Sequence, residues 1–284
     1  MRFLDVKTDY AFKKVFGVDE NKDILIKFLN ALIEFPSKHF IEDLTIVDPY
    51  NIPQLDGMKN SFVDVKAMLD NKTTVIIEMQ ILNHQGFEKR VLYNLAKNYS
   101  MQLNKSEDYH LINPVIALNI VDFTMFNDSE KIITNFKLLE KEEFIDYSDD
   151  IELIFVELPK FTKELNELSN LTEQWIYFIK NAGSLEYIPQ DLDASIKKAL
   201  TTVNEANMTK DELETQYKRK EFLSIQRLAI LKAKNDGLKQ GIEQGIEQGE
   251  KKKQILIAKN LLSAKVDIDT IMKCTGLTKK EIQD

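Results

Sequence analysis

The sequence contains one cysteine, Cys274, three histidines, and no run of about 18 apolar residues. A single cysteine excludes a disulfide framework and a cysteine-based zinc cluster. The histidines, His39, His84 and His110, do not show the spacing of zinc ligands. Without a long apolar run, we expect no membrane-spanning helix and no membrane partner. The glycines form no phosphate-binding loop motif, so we expect no small-molecule organic cofactor.

Acidic residues outnumber basic ones, and the excess is unevenly distributed. The 284 residues carry a net charge of −8 and are 43% hydrophobic, enough for one large domain plus an appendage. Residues 209–284 hold 16 Lys and Arg against 12 Asp and Glu, so this part carries +4 and the remainder −12. An acidic body predicts modest, salt-dependent affinity for DNA. The chain opens without a signal-peptide pattern, so we expect a soluble, cytoplasmic protein.

The hydrophobic pattern predicts elements along the chain. Apolar residues three and four apart predict helices at residues 5–34, 87–104, 165–182, 195–208 and 211–233. Short apolar runs predict strands at residues 42–49, 115–121, 136–139 and 151–158. Turn formers predict a loop at residues 51–60.

The most informative stretch is residues 61–82, SFVDVKAMLDNKTTVIIEMQIL. On both sides of the turn formers at residues 70–72, apolar residues occupy the odd positions, which predicts a β-hairpin. If both apolar sets face one core, the two residue numbers in each cross-strand pair must add up to 142 or 144. Both registers bring four polar residues together on the other face, with opposed Cβ atoms roughly 4.5–5.5 Å apart. These residues are Asp64, Lys66, Glu78 and Gln80.

Two carboxylates at this distance repel each other unless a cation lies between them or one is protonated. The oxygens of Asp64 and Glu78 are hard ligands, which suit Mg²⁺ or Mn²⁺. An ordinary solvated strand face is the alternative interpretation. Against it, the same face also carries apolar residues, so we expect it to be covered and its carboxylates to need a partner. The apolar residues are Phe62, Met68, Ile76 and Leu82.

The spacing from Asp64 to the string Glu78-Met79-Gln80 resembles the core of the PD-(D/E)XK nucleases. Further strings resemble the recombination-promoting nuclease (Rpn) family of that superfamily, whose members are often described as transposases. They are DYAFKKVF at residues 9–16, RVLYNLAKNYSMQLNKSEDY at 90–109 and ELPK at 157–160. Asn71 and Ser106 stand where this family has glycine, but polar residues also fill turn positions.

The resemblance implies an α/β fold with a restriction-endonuclease-like core, a mixed central sheet flanked by helices, and a helical C-terminal extension. It also implies a Mg²⁺- or Mn²⁺-dependent DNA endonuclease that serves recombination, mobile elements or defence. Asp64, Glu78 and the backbone carbonyl of Met79 would hold the metal. Gln80 stands where the superfamily has a lysine; it can orient a water but brings no positive charge. The remaining predicted site residues are Lys66 or Arg90 as the missing cation, Asp9 as a further metal or water ligand, and Lys13 with Arg90 as contacts to DNA phosphates.

Several alternatives stay open at the level of sequence. Asp9 could serve only as a helix cap, and Lys66 could be an ordinary surface lysine. The chain as a whole could be a catalytically weak nuclease-like module that binds DNA or protein and works through oligomerisation of its tail.

The predicted organisation is a nuclease-like core at residues 1–160 and a helical extension at 161–235, followed by two tail segments. Residues 236–253 carry glycines four apart and form a linker or a self-association helix, so we expect a homo-oligomer. Residues 254–284 look like the first part of a helix-turn-helix unit, with Gly276 at the turn. Little sequence is left there for a recognition helix, so docking or oligomerisation is the alternative to DNA reading.

Overall fold

The computed structural model describes residues 1–35, 40–51 and 61–283. Apart from Asn51, the predicted loop at residues 51–60 lies outside the described residues. The chain divides into two compact units, Met1–Lys220 and Glu221–Asp284. In the part of the chain that is described, no helix is both long enough and apolar enough to cross a membrane.

A six-stranded mixed sheet forms the centre of the first unit. The strands of this sheet and of a separate two-stranded pair are β1 (Leu44–Val47), β2 (Tyr50–Asn51), β3 (Ser61–Phe62), β4 (Val65–Leu69), β5 (Thr74–Gln80), β6 (Val115–Val121), β7 (Ile133–Leu139) and β8 (Asp146–Glu157). The order in the sheet is β1-β4-β5-β6-β8-β7, and β2 pairs separately with β3. Strands β5, β6 and β8 are parallel, and the outer pairings are antiparallel. Every β6 residue is buried, as the apolar run predicts for a central strand.

Helices flank the sheet, which confirms the expected fold class. The helices of the two units are α1 (Asp9–Phe16), α2 (Lys22–Leu32), α3 (Phe87–Ser100), α4 (Leu171–Asn181), α5 (Ala194–Thr202), α6 (Lys210–Ser263), α7 (Ile268–Thr275) and α8 (Lys279–Gln283). Short 3₁₀ turns occur at Asp19–Asn21, Tyr109–Leu111, Leu158–Lys160, Leu165–Glu167, Ala182–Ser184 and Glu205–Asn207.

The single helix predicted at residues 5–34 is wrong, because the chain forms α1 and α2 with a break between them. Gly17 ends α1 and donates its N–H to the Lys13 carbonyl at 2.7 Å. A Cβ at Gly17 would lie only 2.9 Å from that carbonyl oxygen, so this close helix end requires glycine. The rings of Phe16 and Phe28, 4.4 Å apart, pack the two helices together in the main core.

The β4–β5 hairpin has the register in which paired residue numbers add up to 142, which confirms one of the two predicted registers. Val65 pairs with Ile77, and Ala67 with Val75. Leu69 N–H donates to the Thr73 carbonyl at 2.9 Å across the three-residue loop. These odd-numbered apolar residues belong to the main core on the side of α1 and α2.

The alternation ends at Asp64, where the prediction needs correction. Asp64 N–H donates to the carbonyl of Ile77 at 3.1 Å, although Ile77 already faces Val65. Two residues opposite one partner form a β-bulge. The extra residue turns Val63 to the other side of the sheet, where it packs with Ile76 and not with the odd-numbered set.

Helix α3 covers the other face of the hairpin only in part. Ile76 is 4% exposed and packs in a cluster with Leu95 of α3. Met68 and Phe62 are 45% and 62% exposed, so the expectation of a fully covered face is wrong for these residues. Helix α3 therefore covers the sheet near Glu78 and leaves the hairpin end open.

In the second unit, α7 and α8 pack against the last turns of α6 through Ala258, Ile271, Leu277 and Ile282. Gly276 has a φ of +72° and ends α7, where its N–H donates to the Met272 carbonyl. The glycine-containing segment at residues 236–253, for which linker and helix were both open, is helical and belongs to α6.

Candidate active site

The residues predicted to hold a metal lie at the bulge and on the neighbouring half of β5. Asp64 directly precedes β4, and Glu78 and Gln80 lie at the end of β5. Helix α1 contributes Asp9 and Lys13 from the core side. Helix α3 contributes Arg90 from the other side.

The β-bulge positions Asp64 through both its backbone and its side chain. Its Oδ2 accepts the backbone N–H of Met79 at 2.7 Å, so the carboxylate replaces the carbonyl that a regular partner strand would offer. Its Oδ1 lies 3.9 Å from Lys13 Nζ, and the side chain is 15% exposed. The carboxylate is therefore held in one place at the edge of the sheet.

Arg90 holds the two side chains of β5. Its guanidinium lies 2.7 Å from Glu78 Oε1 and also donates to Gln80 Oε1. The other end of the Gln80 amide donates to the Leu82 carbonyl at 2.7 Å. Since Glu78 is 13% exposed and the Gln80 amide is bonded at both ends, neither side chain is a mobile surface group.

Asp9 and Lys13 form an ion pair one helical turn apart, with Nζ 2.7 Å from Oδ1. Asp9 also shares a hydrogen bond with Asp64. Burial works against ionisation of Asp9, but the hydrogen bonds to Lys13 and Asp64 outweigh it and lower the pKa of Asp9. Asp9 therefore stays ionised and accepts a hydrogen bond from protonated Asp64.

The two buried carboxyl groups ionise with difficulty. Burial raises the pKa of Asp64 to about 6, against the hydrogen bond from Met79, which lowers it. Burial, and then the charge of Asp64, raise the pKa of Glu78 to about 8. Like charges in a desolvated site repel, so full ionisation of the pair calls for a cation.

The donor set fits a hard divalent cation. Within residues 1–35, 40–51 and 61–283, no group of three or more His, Cys, Asp or Glu side chains is placed to hold a metal. Mg²⁺ needs only one or two carboxylates, because it keeps several of its waters. Asp64 and Glu78 supply these carboxylates. For Met79 the structure shows the N–H bonded to Asp64, and ligation through its carbonyl stays a prediction.

Lys66 is not brought into this cluster. With pairs adding up to 142 it faces Ile76, whereas the other register would have placed it opposite Glu78. Burial lowers the pKa of Lys66, and the charge that acts on it is that of Asp48. Among the described residues the structure shows no ion pair from Lys66 to Asp64 or Glu78. A role of Lys66 as the missing cation stays a prediction.

Sequence reasoning missed a further cation, Arg219. Its charge lowers the pKa of Asp9, so Arg219 lies near the α1 end of the site. Arg219 belongs to α6, about two hundred residues along the chain from Asp9, in a stretch of mixed charge that carries no distinguishing pattern. Only the folded arrangement identifies it.

Two family models match the chain. A model described as PD-(D/E)XK nuclease family transposase matches residues 6–233. A second, described as Rpn/YhgA-like nuclease family, C-terminal HTH domain, matches residues 251–284. Comparison with curated proteins and with solved structures gives no match. The first model spans every site residue described above, and the second spans the end of α6 with α7 and α8.

Proposed function

Because the chain belongs to the PD-(D/E)XK nuclease family of transposases, we propose that it is a DNA endonuclease that hydrolyses phosphodiester bonds with Mg²⁺ or Mn²⁺. The observation that carries the proposal is the meeting of two buried carboxyl groups, Asp64 and Glu78, with raised pKa values. Such a pair destabilises the site until a cation joins it. The activity would serve recombination, mobile elements or defence in the cytoplasm.

In this proposal Asp64, Glu78 and the Met79 carbonyl hold the metal. When bound, the metal polarises a phosphoryl oxygen and lowers the pKa of the attacking water. Gln80 orients that water, and its fixed amide suits this role. Asp9 is a further ligand of the metal or of the water, next to Asp64.

The reaction is a hydrolysis at phosphorus. The water oxygen bonds to phosphorus and gives up a proton to solvent, while the bond from phosphorus to one deoxyribose oxygen breaks and that oxygen takes up a proton. Arg90 keeps Glu78 and Gln80 together during this step. The guanidinium N–H groups that do not bind these two side chains also contact a neighbouring DNA phosphate, not the one under attack, since Arg binds phosphate through several parallel N–H groups.

The test is cleavage of supercoiled plasmid by the purified full chain with Mg²⁺ or Mn²⁺. Asp64→Asn and Glu78→Gln keep the shape of each side chain but remove its charge, and each should lower the rate at least ~10³-fold. Asp108→Asn, a highly exposed carboxylate far along the sequence, is the matched control and should cleave like the wild type. Equal nicking by all four proteins would show contamination and would exclude the nuclease.

A second function, assembly through the tail, is supported by a different observation. Leu238, Ile242 and Ile246 lie four residues apart on α6 and are 62%, 54% and 58% exposed. Exposed apolar residues in a row on one helix indicate a partner helix. We propose that α6 makes the protein a homo-oligomer, and that the C-terminal helices contribute to DNA binding, as the matched domain suggests.

Light scattering of the full chain tests the assembly. The double substitution Ile242→Lys with Ile246→Lys should dissociate the oligomer, and Gln240→Lys with Gln244→Lys controls for added charge on the same helix. If the site variants Asp64→Asn and Glu78→Gln leave DNA processing unchanged but the helix variant abolishes DNA binding, the protein acts as an assembling module and not as a nuclease.

A further inference from the structure

The candidate active site lacks the lysine that the PD-(D/E)XK pattern places two residues after the glutamate, because that position is Gln80. A glutamine amide can orient water, but it cannot neutralise the negative charge that develops on the phosphoryl oxygens. A cation from elsewhere in the fold must supply this charge if the site cleaves DNA. The structure offers several cations near the carboxylates, and their contacts distinguish them.

Arg90 is already bound to both β5 side chains. Moving it to the phosphate would release Glu78 and the Gln80 amide together. Lys7 is only 14% exposed and pairs with Asp122 at 3.3 Å, beside the end of β6. Both cations therefore have structural roles on the protein side of the site.

Lys13 differs from them in exposure and in position. Its Nζ lies 2.7 Å from Asp9 Oδ1 and 3.9 Å from Asp64 Oδ1, and its side chain is 43% exposed. The backbone below it is fixed, because Phe12 and Phe16 on the same helix are fully buried in the core. A lysine with an anchored base and an exposed ammonium group reaches a bound phosphate without breaking any contact of Glu78.

We propose that Lys13 contacts the phosphoryl group under attack and supplies the positive charge that Gln80 lacks. This inference rests on the proposed nuclease function and assigns the charge to α1, not to the strand. Asp9 positions Lys13 through their ion pair, and thus α1 contributes a pair of groups to the reaction.

The test moves the charge between the two positions in the full chain, using single-turnover plasmid cleavage at saturating Mn²⁺. Lys13→Met should lower the rate at least ~10²-fold. Adding Gln80→Lys to that variant should raise the cleavage rate at least tenfold, because the cation is then supplied by β5. Lys14→Met is the matched control on α1, since Lys14 pairs with Glu212 and not with the site; it should stay within threefold of the wild type.

Calorimetric titration with Mn²⁺ at pH 8.5 separates charge supply from damage to the site. Lys13→Met should bind Mn²⁺ within about threefold of the wild type, because Lys13 is not a metal ligand in the proposal. If the wild type cleaves the plasmid and Lys13→Met cleaves it equally fast, the proposed role of Lys13 is wrong and the proposed nuclease function stands. Loss of Mn²⁺ binding in Lys13→Met, or no rescue by Gln80→Lys, would also overturn the role of Lys13. A wild-type protein that does not cleave would overturn the nuclease and the inference together.

Discussion

The two faces of the β4–β5 hairpin hold their cations in different ways. On the α3 face, Arg90 binds Glu78 and Gln80 at once and is confined by both. On the α1 face, Lys13 is 43% exposed, contacts Asp9 and lies at longer range from Asp64. The guanidinium fork suits fixed bidentate contacts, whereas the ammonium group on its flexible stem suits a contact that forms with substrate.

The difference follows from the local backbone of each carboxylate. Glu78 lies in a regular strand, so its side chain projects to the face that α3 covers. Asp64 lies in the bulge, so its carboxylate turns to the edge of the sheet and towards α1. One irregular residue thus lets two neighbouring strands present their carboxylates to two different helices.

Among the changes that compare the two faces, Arg90→Met should have the largest effect. This change removes the donor that holds Glu78 and Gln80, so we expect at least ~10²-fold slower cleavage. It should also change metal binding, and by more than Lys13→Met does, because the charge of Arg90 lowers the pKa of Glu78 more than the charge of Lys13 does. The charge of Arg90 lowers the pKa of Glu78, so without it Mn²⁺ binding should require a higher pH. Calorimetric titrations between pH 6.5 and 9 measure this shift.

Lys89→Met is the matched control for that prediction, because Lys89 is the exposed neighbour of Arg90 on α3. It should leave both the cleavage rate and the pH of Mn²⁺ binding unchanged. If Arg90→Met and Lys13→Met shift the pH dependence by the same amount, the distinction between a fixed and a substrate-facing cation is wrong.

The hairpin shows how far the sequence predicts such a site. Alternation of apolar residues around residues 70–72 predicts two antiparallel strands and, with the requirement of a common core, two registers, of which one is observed. The same alternation also covers Val63, and there it fails. A bulge changes the face of a residue without changing the pattern of apolar residues, so period two alone does not reveal it.

The cations show the other limit of sequence-based prediction. Lys66 shares the strand with Asp64, so proximity along the chain favours it over Lys13 on a separate helix. Tertiary packing brings Lys13 to the site as well, because the buried aromatic residues of α1 place Lys13 at the bulge. For Arg219 no local pattern exists, since only the path of α6 brings it near Asp9.

The next expected effect is on stability and depends on pH. The pKa of Glu78 is raised from 4.5 to about 8 in the folded protein, so the protonated form favours folding. This contribution is fully present below about pH 4.5 and is lost as the pH rises to 8. Glu78→Gln resembles the protonated group, so it should raise the free energy of unfolding at pH 8.5 by roughly 1–3 kcal/mol relative to the wild type.

Asp64→Asn provides the comparison between the two faces. The pKa of Asp64 is raised from 3.8 to about 6, so its contribution is lost at lower pH than that of Glu78. Urea denaturation from pH 4 to 9 should therefore show two pH windows in which stability falls. Glu78→Gln should remove the upper window, and Asp64→Asn should move it to lower pH, because the charge of Asp64 raises the pKa of Glu78. For the wild type, saturating Mn²⁺ should abolish the decrease in the free energy of unfolding with rising pH, since the cation stabilises the ionised pair. A wild-type stability that does not change between pH 5 and 8.5 would contradict the raised pKa values.

The smallest expected effect concerns the glycines that border the two helices. Gly17 ends α1 four residues after Lys13, and Gly86, with a φ of +87°, begins α3 four residues before Arg90. Gly86→Ala meets no atom within 4 Å, so only its left-handed backbone is strained, which costs roughly 1 kcal/mol. Gly17→Ala should cost more, because its Cβ would lie 2.9 Å from the backbone carbonyl oxygen of Lys13 and the end of α1 would have to shift.

The two substitutions should also differ in activity. Gly17→Ala displaces the backbone that carries Lys13, so cleavage should fall several-fold, whereas Gly86→Ala should stay near the wild-type rate because its strain involves no neighbouring atoms. Gly245→Ala, in open space within α6, serves as the glycine control and should stabilise that helix by up to ~1 kcal/mol. Thermal unfolding and single-turnover cleavage of all three variants give both quantities. Equal cleavage by Gly17→Ala and Gly86→Ala would mean that catalysis tolerates a shift of the backbone at Lys13. The contact of Lys13 with the substrate would then depend on the flexibility of its side chain and not on the end of α1.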